Sequence, residues 1–173
     1  MNFSKKTILT ILFLALVGTI AKAQENNFSH MVTLGVVTPL LQSGMGFHAG
    51  YNPGFSLFPF LDVEGQLSYY YAKTVTGSFF SPSDTEIFQS VNLLAGGRLY
   101  LAPEEKKARP YVNLLIGGSY NSEAIEHPFQ GTSKSTKLAF LAITGAYMNI
   151  NRFTFGVSTN VRQGWVFKVG YTF

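Results

Sequence analysis

The sequence predicts an all-β protein: an eight-stranded antiparallel up-and-down transmembrane β-barrel behind a cleaved signal peptide. Three observations carry this. Charged residues make up only 13% of the chain, while aromatics reach 15% and glycines number 17; ordinary soluble domains carry about 25% charged residues. Segments rich in β-branched and aromatic residues recur between clusters of Gly, Pro, Asn and Ser. The longest apolar-or-small run after the N-terminus, Leu138 to Met148, is too short for a membrane helix, which needs about 20 residues. An apolar chain with no membrane helix is either a soluble β protein or a membrane barrel.

The first 23 residues stand apart. MNFSKK is a positive leader, TILTILFLALVGTI an apolar core, and Ala21-Lys22-Ala23 a small-x-small cleavage site before Gln24. That is the layout of a secretory signal peptide, so residues 1–23 are expected to be removed and 24–173 to form one barrel domain. The chain has no cysteine, hence no lipidation site and no disulfide framework. Three of the 13 basic residues (Lys5, Lys6, Lys22) lie in the leader, leaving 10 against 9 acidic residues. A nearly neutral exported chain excludes nucleic acid as a partner.

Eight strands are expected in order: 31–38, 45–52, 61–72, 88–101, 111–120, 137–148, 152–160 and 165–173. In LDVEGQLSYYYA, Leu61, Val63, Leu67, Tyr69 and Tyr71 alternate with Asp62, Glu64, Gln66, Ser68 and Tyr70. In the fourth strand Val91, Leu93 and Leu99 oppose Ser90, Asn92 and Arg98; in the seventh Phe153, Phe155 and Val157 oppose Arg152, Thr154 and Ser158. Side chains on a strand point to opposite faces in turn, so each strand has one apolar face. KLAFLAITGAYM is apolar on both faces.

Alternation does not say which face is inside; a soluble ligand-carrying barrel would turn the apolar face inward. Only six of the 19 charges after the leader fall in strands, and the polar face is mostly Gly, Ser, Asn, Thr and Gln. That suits a cramped lumen better than a water-facing surface. Tyr69, Tyr71, Phe88, Tyr100, Tyr120, Trp165, Tyr171 and Phe173 cluster at strand ends, as in the aromatic girdles of membrane barrels. The apolar face is therefore expected outward, in lipid. Both termini then lie on the periplasmic side, with turns at 53–60, 102–110 and 149–151. The outer loops fall at 39–44, 73–87, 121–136 and 161–164.

The leader, the hairpin LDVEGQLSYYY…VNLLAGGRLYL, the segment RPYVNLLIGGSY and the terminal VFKVGYTF resemble the small eight-stranded outer-membrane barrels of the OmpA/OmpX/OmpW-like class, over residues 28–173. The resemblance implies a Gram-negative outer-membrane location with outer-membrane lipid around the barrel. It also implies that Phe167, Val169, Tyr171 and Phe173 are the signal read by the outer-membrane assembly machinery. Its motifs specify an architecture rather than an activity. No peptidoglycan-binding domain is expected after the barrel.

The inward charges are the main candidate chemistry. A symmetric hairpin of the third and fourth strands brings Arg98 opposite Asp62 and one step from Glu64; Lys168 also points inward. These four are expected to form a structural ion network filling a lumen only just wide enough for side chains. A charge-lined conduit is the competing reading. His48 is expected as a satisfied lumen residue. His127, near Glu123, Glu126 and several serines, suggests a nucleophile–base–acid set, but no spacing supports it, and the three histidines have no metal-ligand spacing. Gly96-Gly97 and Gly117-Gly118 lie mid-strand and are not phosphate loops.

The expected function is thus a non-enzymatic outer-membrane barrel, structural or presenting loops 73–87 and 121–136 to an extracellular ligand or host surface. It needs no cofactor, metal or catalytic residue. The alternatives are a narrow porin-like conduit for small solutes or lipophilic ligands and, behind it, a lipid-modifying outer-membrane enzyme.

Overall fold

The computed structural model describes residues 28–38, 44–76, 84–127, 131–160 and 164–173. The expected signal peptide and the centres of the four expected outer loops lie outside the described residues. Eight strands follow one another: β1 (Phe28–Thr38), β2 (Gly44–Phe58), β3 (Leu61–Thr76), β4 (Asp84–Tyr100), β5 (Ala108–His127), β6 (Gly131–Ile150), β7 (Phe153–Asn160) and β8 (Gly164–Thr172). Each pairs antiparallel with the next, and β8 pairs with β1 to close the barrel. Closure extends to the last residue, where the Phe173 N–H donates to the His30 carbonyl at 2.9 Å.

Several strands outrun the sequence expectation. β2 continues through Phe58, so the expected turn 53–60 shrinks to Pro59-Phe60. Its pairing with β3 lapses between Tyr51 and Gly54, around Pro53, where proline has no N–H to give. The expected loop 73–87 is largely strand, with β3 running to Thr76 and β4 starting at Asp84. The expected loop 121–136 is nearly all strand, because β5 runs to His127 and β6 begins at Gly131. These segments are wet on both faces, so their side chains show no apolar alternation. Backbone pairing with the neighbouring strand suffices to hold them.

Register sets the tilt. Phe155 pairs with Val169, and the circuit through Leu34, Ala49, Tyr69, Val91 and Tyr120 arrives at Leu138; yet Phe155 also pairs with Met148, ten residues along β6. Ten residues of displacement over eight strands inclines them by about 40° to the barrel axis. Strand lengths then decide the wall height. β6 has 20 residues but β7 only 8, and their pairing stops at Thr144–Thr159. Gly131–Ile143 therefore rises past the pairing with β7, with β5 on one side and no paired strand among the described residues on the other.

The outward face is an apolar belt: Leu138 is 82% exposed, Phe140 71% and Leu93 70%. Water would penalise that surface at about 25 cal/mol per Å²; lipid does not. No helix among the described residues is long and apolar enough to cross a membrane. Aromatics ring both ends of the belt. Phe47 packs on Tyr69 and Tyr71 at 5.7 and 5.5 Å near the far end, while Tyr171 meets Phe153 and Phe173 at 5.2 and 5.1 Å near the termini. Two expected girdle members are elsewhere. Tyr100 is buried in the lumen, and Phe88 turns inward against Tyr70, because both share the inward parity of Arg98.

Candidate functional site: the packed lumen and the projecting sheet

Strand β3 delivers Asp62, Glu64, Gln66, Ser68 and Tyr70 to the lumen, each buried. Its register with β4 sets Asp62 opposite Arg98. Arg98 Nη2 lies 3.1 Å from Glu64 Oε1, and its Nη1 lies 3.8 Å from Asp62 Oδ2. Neither carboxylate relies on Arg98 alone. Glu64 accepts from Asn52 Nδ2 at 2.6 Å and Asn113 Nδ2 at 3.3 Å; Asp62 accepts from Ser56 Oγ at 2.7 Å and Tyr100 OH at 3.0 Å. The set meets the rule that a buried charge is paired and hydrogen-bonded.

Lys168 is placed differently. It is buried and inward, but no carboxylate among the described residues lies within ion-pair distance of it; its Nζ stands 6.0 Å from the centre of the Tyr147 ring. The structure thus brings Asp62, Glu64 and Arg98 together and leaves Lys168 to one side. Its neighbours Phe167, Val169, Tyr171 and Phe173 all lie on the outward, lipid-facing side of β8.

Three tyrosines complete the lower lumen. Tyr100, Tyr111 and Tyr147 stand in a row, Tyr100 to Tyr111 at 5.4 Å and Tyr111 to Tyr147 stacked at 4.9 Å, with the Arg98 guanidinium 4.9 Å from the Tyr111 ring. The sequence reading missed Tyr111 and Tyr147, though both share the inward parity of Asn113 and Ile143. The Tyr147 ring lies over Gly156, where an added Cβ would run into the ring itself and the Ala146 carbonyl. Gly156→Ala is therefore expected to destabilise the barrel by about 1–3 kcal/mol, read as a lower urea midpoint for unfolding from lipid vesicles.

Higher in the lumen His48 faces Gln66 at 3.2 Å, and Ser119 sits 2.6 Å from Asn92 and 2.7 Å from Asn121. Apolar clusters fill the remaining space: Leu94, Leu115, Leu141 and Ile143 in one, and Val37, Tyr70, Ala72 and Val166 in another. The lumen is a mixed polar and apolar core rather than the polar interior the sequence suggests. This also explains why β6 is apolar on both faces: Leu141 and Ile143 are core, Leu138 and Phe140 meet lipid.

Above the belt, the residues suspected as a catalytic set separate. His127 Nδ1 lies 2.9 Å from Asp84 Oδ1 on β4, and Glu123 pairs with Lys137 at 3.0 Å. Glu126 faces the opposite side of β5. Among the described residues no group of three His, Asp or Glu stands together to hold a metal ion.

A closed eight-stranded antiparallel barrel with a lipid-facing exterior and a packed lumen has the fold of the small outer-membrane β-barrels, and the chain is a transmembrane barrel of that kind. Among solved structures it is similar to Ail, the attachment invasion locus protein of Yersinia pestis. The two share 15% identity and a TM-score of 0.54, covering 86% of this chain and 99% of Ail. It is also similar to the N-terminal β-barrel domain of Pseudomonas aeruginosa OprF (16% identity, TM-score 0.45, 86% and 98% covered). Neisserial surface protein A is a third (14%, 0.49, 84% and 94%). No protein-family model and no curated protein matches the chain. At such identities the likeness to Ail establishes the fold. In this fold the termini are periplasmic and the far end is extracellular.

Proposed function

We propose that the barrel serves as a surface-interaction protein, anchored by its lipid-facing wall and engaging extended partner segments along the projecting edge of β6. The observation that carries this is the open side of Gly131–Ile143. Alternate N–H groups of β6 bond to β5. The phase follows from the bonds Leu101 N–H to Pro110 O and Asn151 N–H to Lys107 O. It turns the N–H groups of Thr132, Lys134, Thr136 and Leu138 to the open side. Such a row accepts another extended chain by strand addition. The described parts of the expected interaction loops 73–87 and 121–136 are thereby strands of a projecting sheet.

Thr136→Pro removes an edge N–H without touching the β5 ladder. It is expected to lower binding of extended peptides, selected from a surface-displayed library, by about tenfold, one or two ladder bonds being worth about 1 kcal/mol each. Ser135→Pro should instead damage the hairpin itself. Equal peptide binding by wild type and Thr136→Pro would overturn the reading.

Ail has been solved with the heparin analogue sucrose octasulfate. Among the described residues the projecting sheet sets Asp84, Glu86, Glu123 and Glu126 against Lys73, Lys134 and Lys137, a mixture of both signs rather than a cationic face for a sulfated ligand. We propose a peptide rather than a polyanion as the extracellular ligand. The conduit reading is weakened by the apolar clusters across the lumen, and the lipid-enzyme reading by the absence of a nucleophile contact to His127 among the described residues. On the export side, we propose that residues 1–23 are removed, and that outward Phe167, Val169, Tyr171 and Phe173 are read by the assembly machinery.

A further inference from the structure

The lipid-facing wall is not uniformly convex. In its periplasmic half lies an apolar notch of about 550 Å³, where Gly97 supplies no side chain between Leu61 and Leu99 on one flank and Leu114 and Ile116 on the other. Thr144 closes one end, and its Oγ1 already donates to the Asn113 carbonyl at 3.1 Å. Asn113, the other polar residue of the lining, turns its amide toward Glu64 in the lumen, so the notch offers chiefly shape. Within a bilayer no hydrophobic drive distinguishes lipid from wall, so van der Waals fit decides what stays bound. An acyl chain on a convex wall is touched from one side; in the notch it is touched by a floor and two flanks, each contact adding a small dispersion gain.

We propose that the Gly97 notch seats one acyl chain of a periplasmic-leaflet phospholipid whose headgroup rests on the β4–β5 turn. The leaflet follows from position: Leu61 opens β3, Leu99 is one residue from the end of β4, and Val112, also lining the notch, lies near the start of β5. The turn between β4 and β5 carries Glu104, Glu105, Lys106 and Lys107, all exposed. Two ammonium groups suit a phosphate and two carboxylates suit a headgroup amine, which together match a zwitterionic ethanolamine phospholipid. The inference rests on the outer-membrane placement of the barrel and is independent of the β6 edge.

The test is native mass spectrometry of the barrel released from bilayer discs of palmitoyl-oleoyl phosphatidylethanolamine. One phospholipid is expected to persist on the wild type after the remaining lipid is stripped. Gly97→Leu fills the notch: a Cβ there meets only Asp62 O at 3.7 Å and Leu61 Cδ1 at 3.8 Å, so the barrel should fold normally. It should lower the persistent adduct about tenfold. Gly118→Leu, on the same outer wall with nothing within 4 Å of the added Cβ, should leave the adduct unchanged. Replacing Lys106 and Lys107 by Ser should reduce it several-fold. An undiminished adduct on Gly97→Leu, or no persistent adduct on the wild type, would overturn the proposal. So would retention of lipopolysaccharide in place of phospholipid by barrels taken from native outer membrane.

Discussion

Arg98→Met is expected to destabilise the barrel by about 3–5 kcal/mol, the range for removing one partner from a buried ion pair. Asp62 and Glu64 are 5% and 1% exposed, and without the guanidinium two carboxylates would share a closed space. Their remaining donors, Ser56, Tyr100, Asn52 and Asn113, satisfy hydrogen bonds but carry no charge. The measurement is the urea midpoint in lipid vesicles, followed by heat-modifiable gel migration. Adding Asp62→Asn and Glu64→Gln to Arg98→Met should recover a large part of the loss, since an uncharged cluster leaves no unpaired ion behind. An unchanged midpoint for Arg98→Met alone would mean that the carboxylates are solvated in the native lumen, and the packed-core account would fail.

Deleting Phe173 is expected to lower the outer-membrane level of the protein several-fold while synthesis and export continue. Two physical losses coincide at this residue. The Phe173 N–H closes the β1–β8 seam through the His30 carbonyl, and its ring packs on Tyr171 at the periplasmic edge of the belt. β8 has only nine strand residues, so its pairing with β1 has little length to spare. Cell fractionation with quantitative blotting separates synthesis, periplasmic accumulation and insertion. Phe173→Trp should assemble and Phe173→Ser should not, which distinguishes an aromatic requirement from a length requirement. Normal insertion of the truncated chain would refute both.

Much of the site was legible in the sequence for a simple reason. In a symmetric hairpin the positions of opposed residues sum to a constant, so the pairing of Asp62 with Arg98 follows once β3 and β4 are located. Parity likewise assigned Glu64, His48 and Lys168 to the lumen. Parity also contains Tyr100, Tyr111 and Tyr147, but the girdle expectation claims Tyr100 for its place at a strand end and passes over Tyr111 and Tyr147. A tyrosine suits a lipid interface and a hydrogen-bonded lumen equally well, so composition at a strand end cannot separate the two; only the face can. The distance of Lys168 from Glu64 was not legible, because the two lie on strands joined only through β1 and β2, and their separation depends on side-chain reach across the lumen.

By itself the sequence determined the number of strands and, wherever polar and apolar residues alternate, the face that meets lipid; for β6, apolar on both faces, only the packing of Leu141 and Ile143 in the lumen decided it. These follow from local chemistry: a residue's polarity reports what its side chain touches. Tertiary structure alone decided the ten-residue displacement around the barrel, the rise of β6 above β7 and the notch at Gly97. Those depend on how far backbones pair and on where neighbouring strands place their gaps. Backbone hydrogen bonds are the same for every residue but proline, so where both faces are wet the side chains give no record of the pairing.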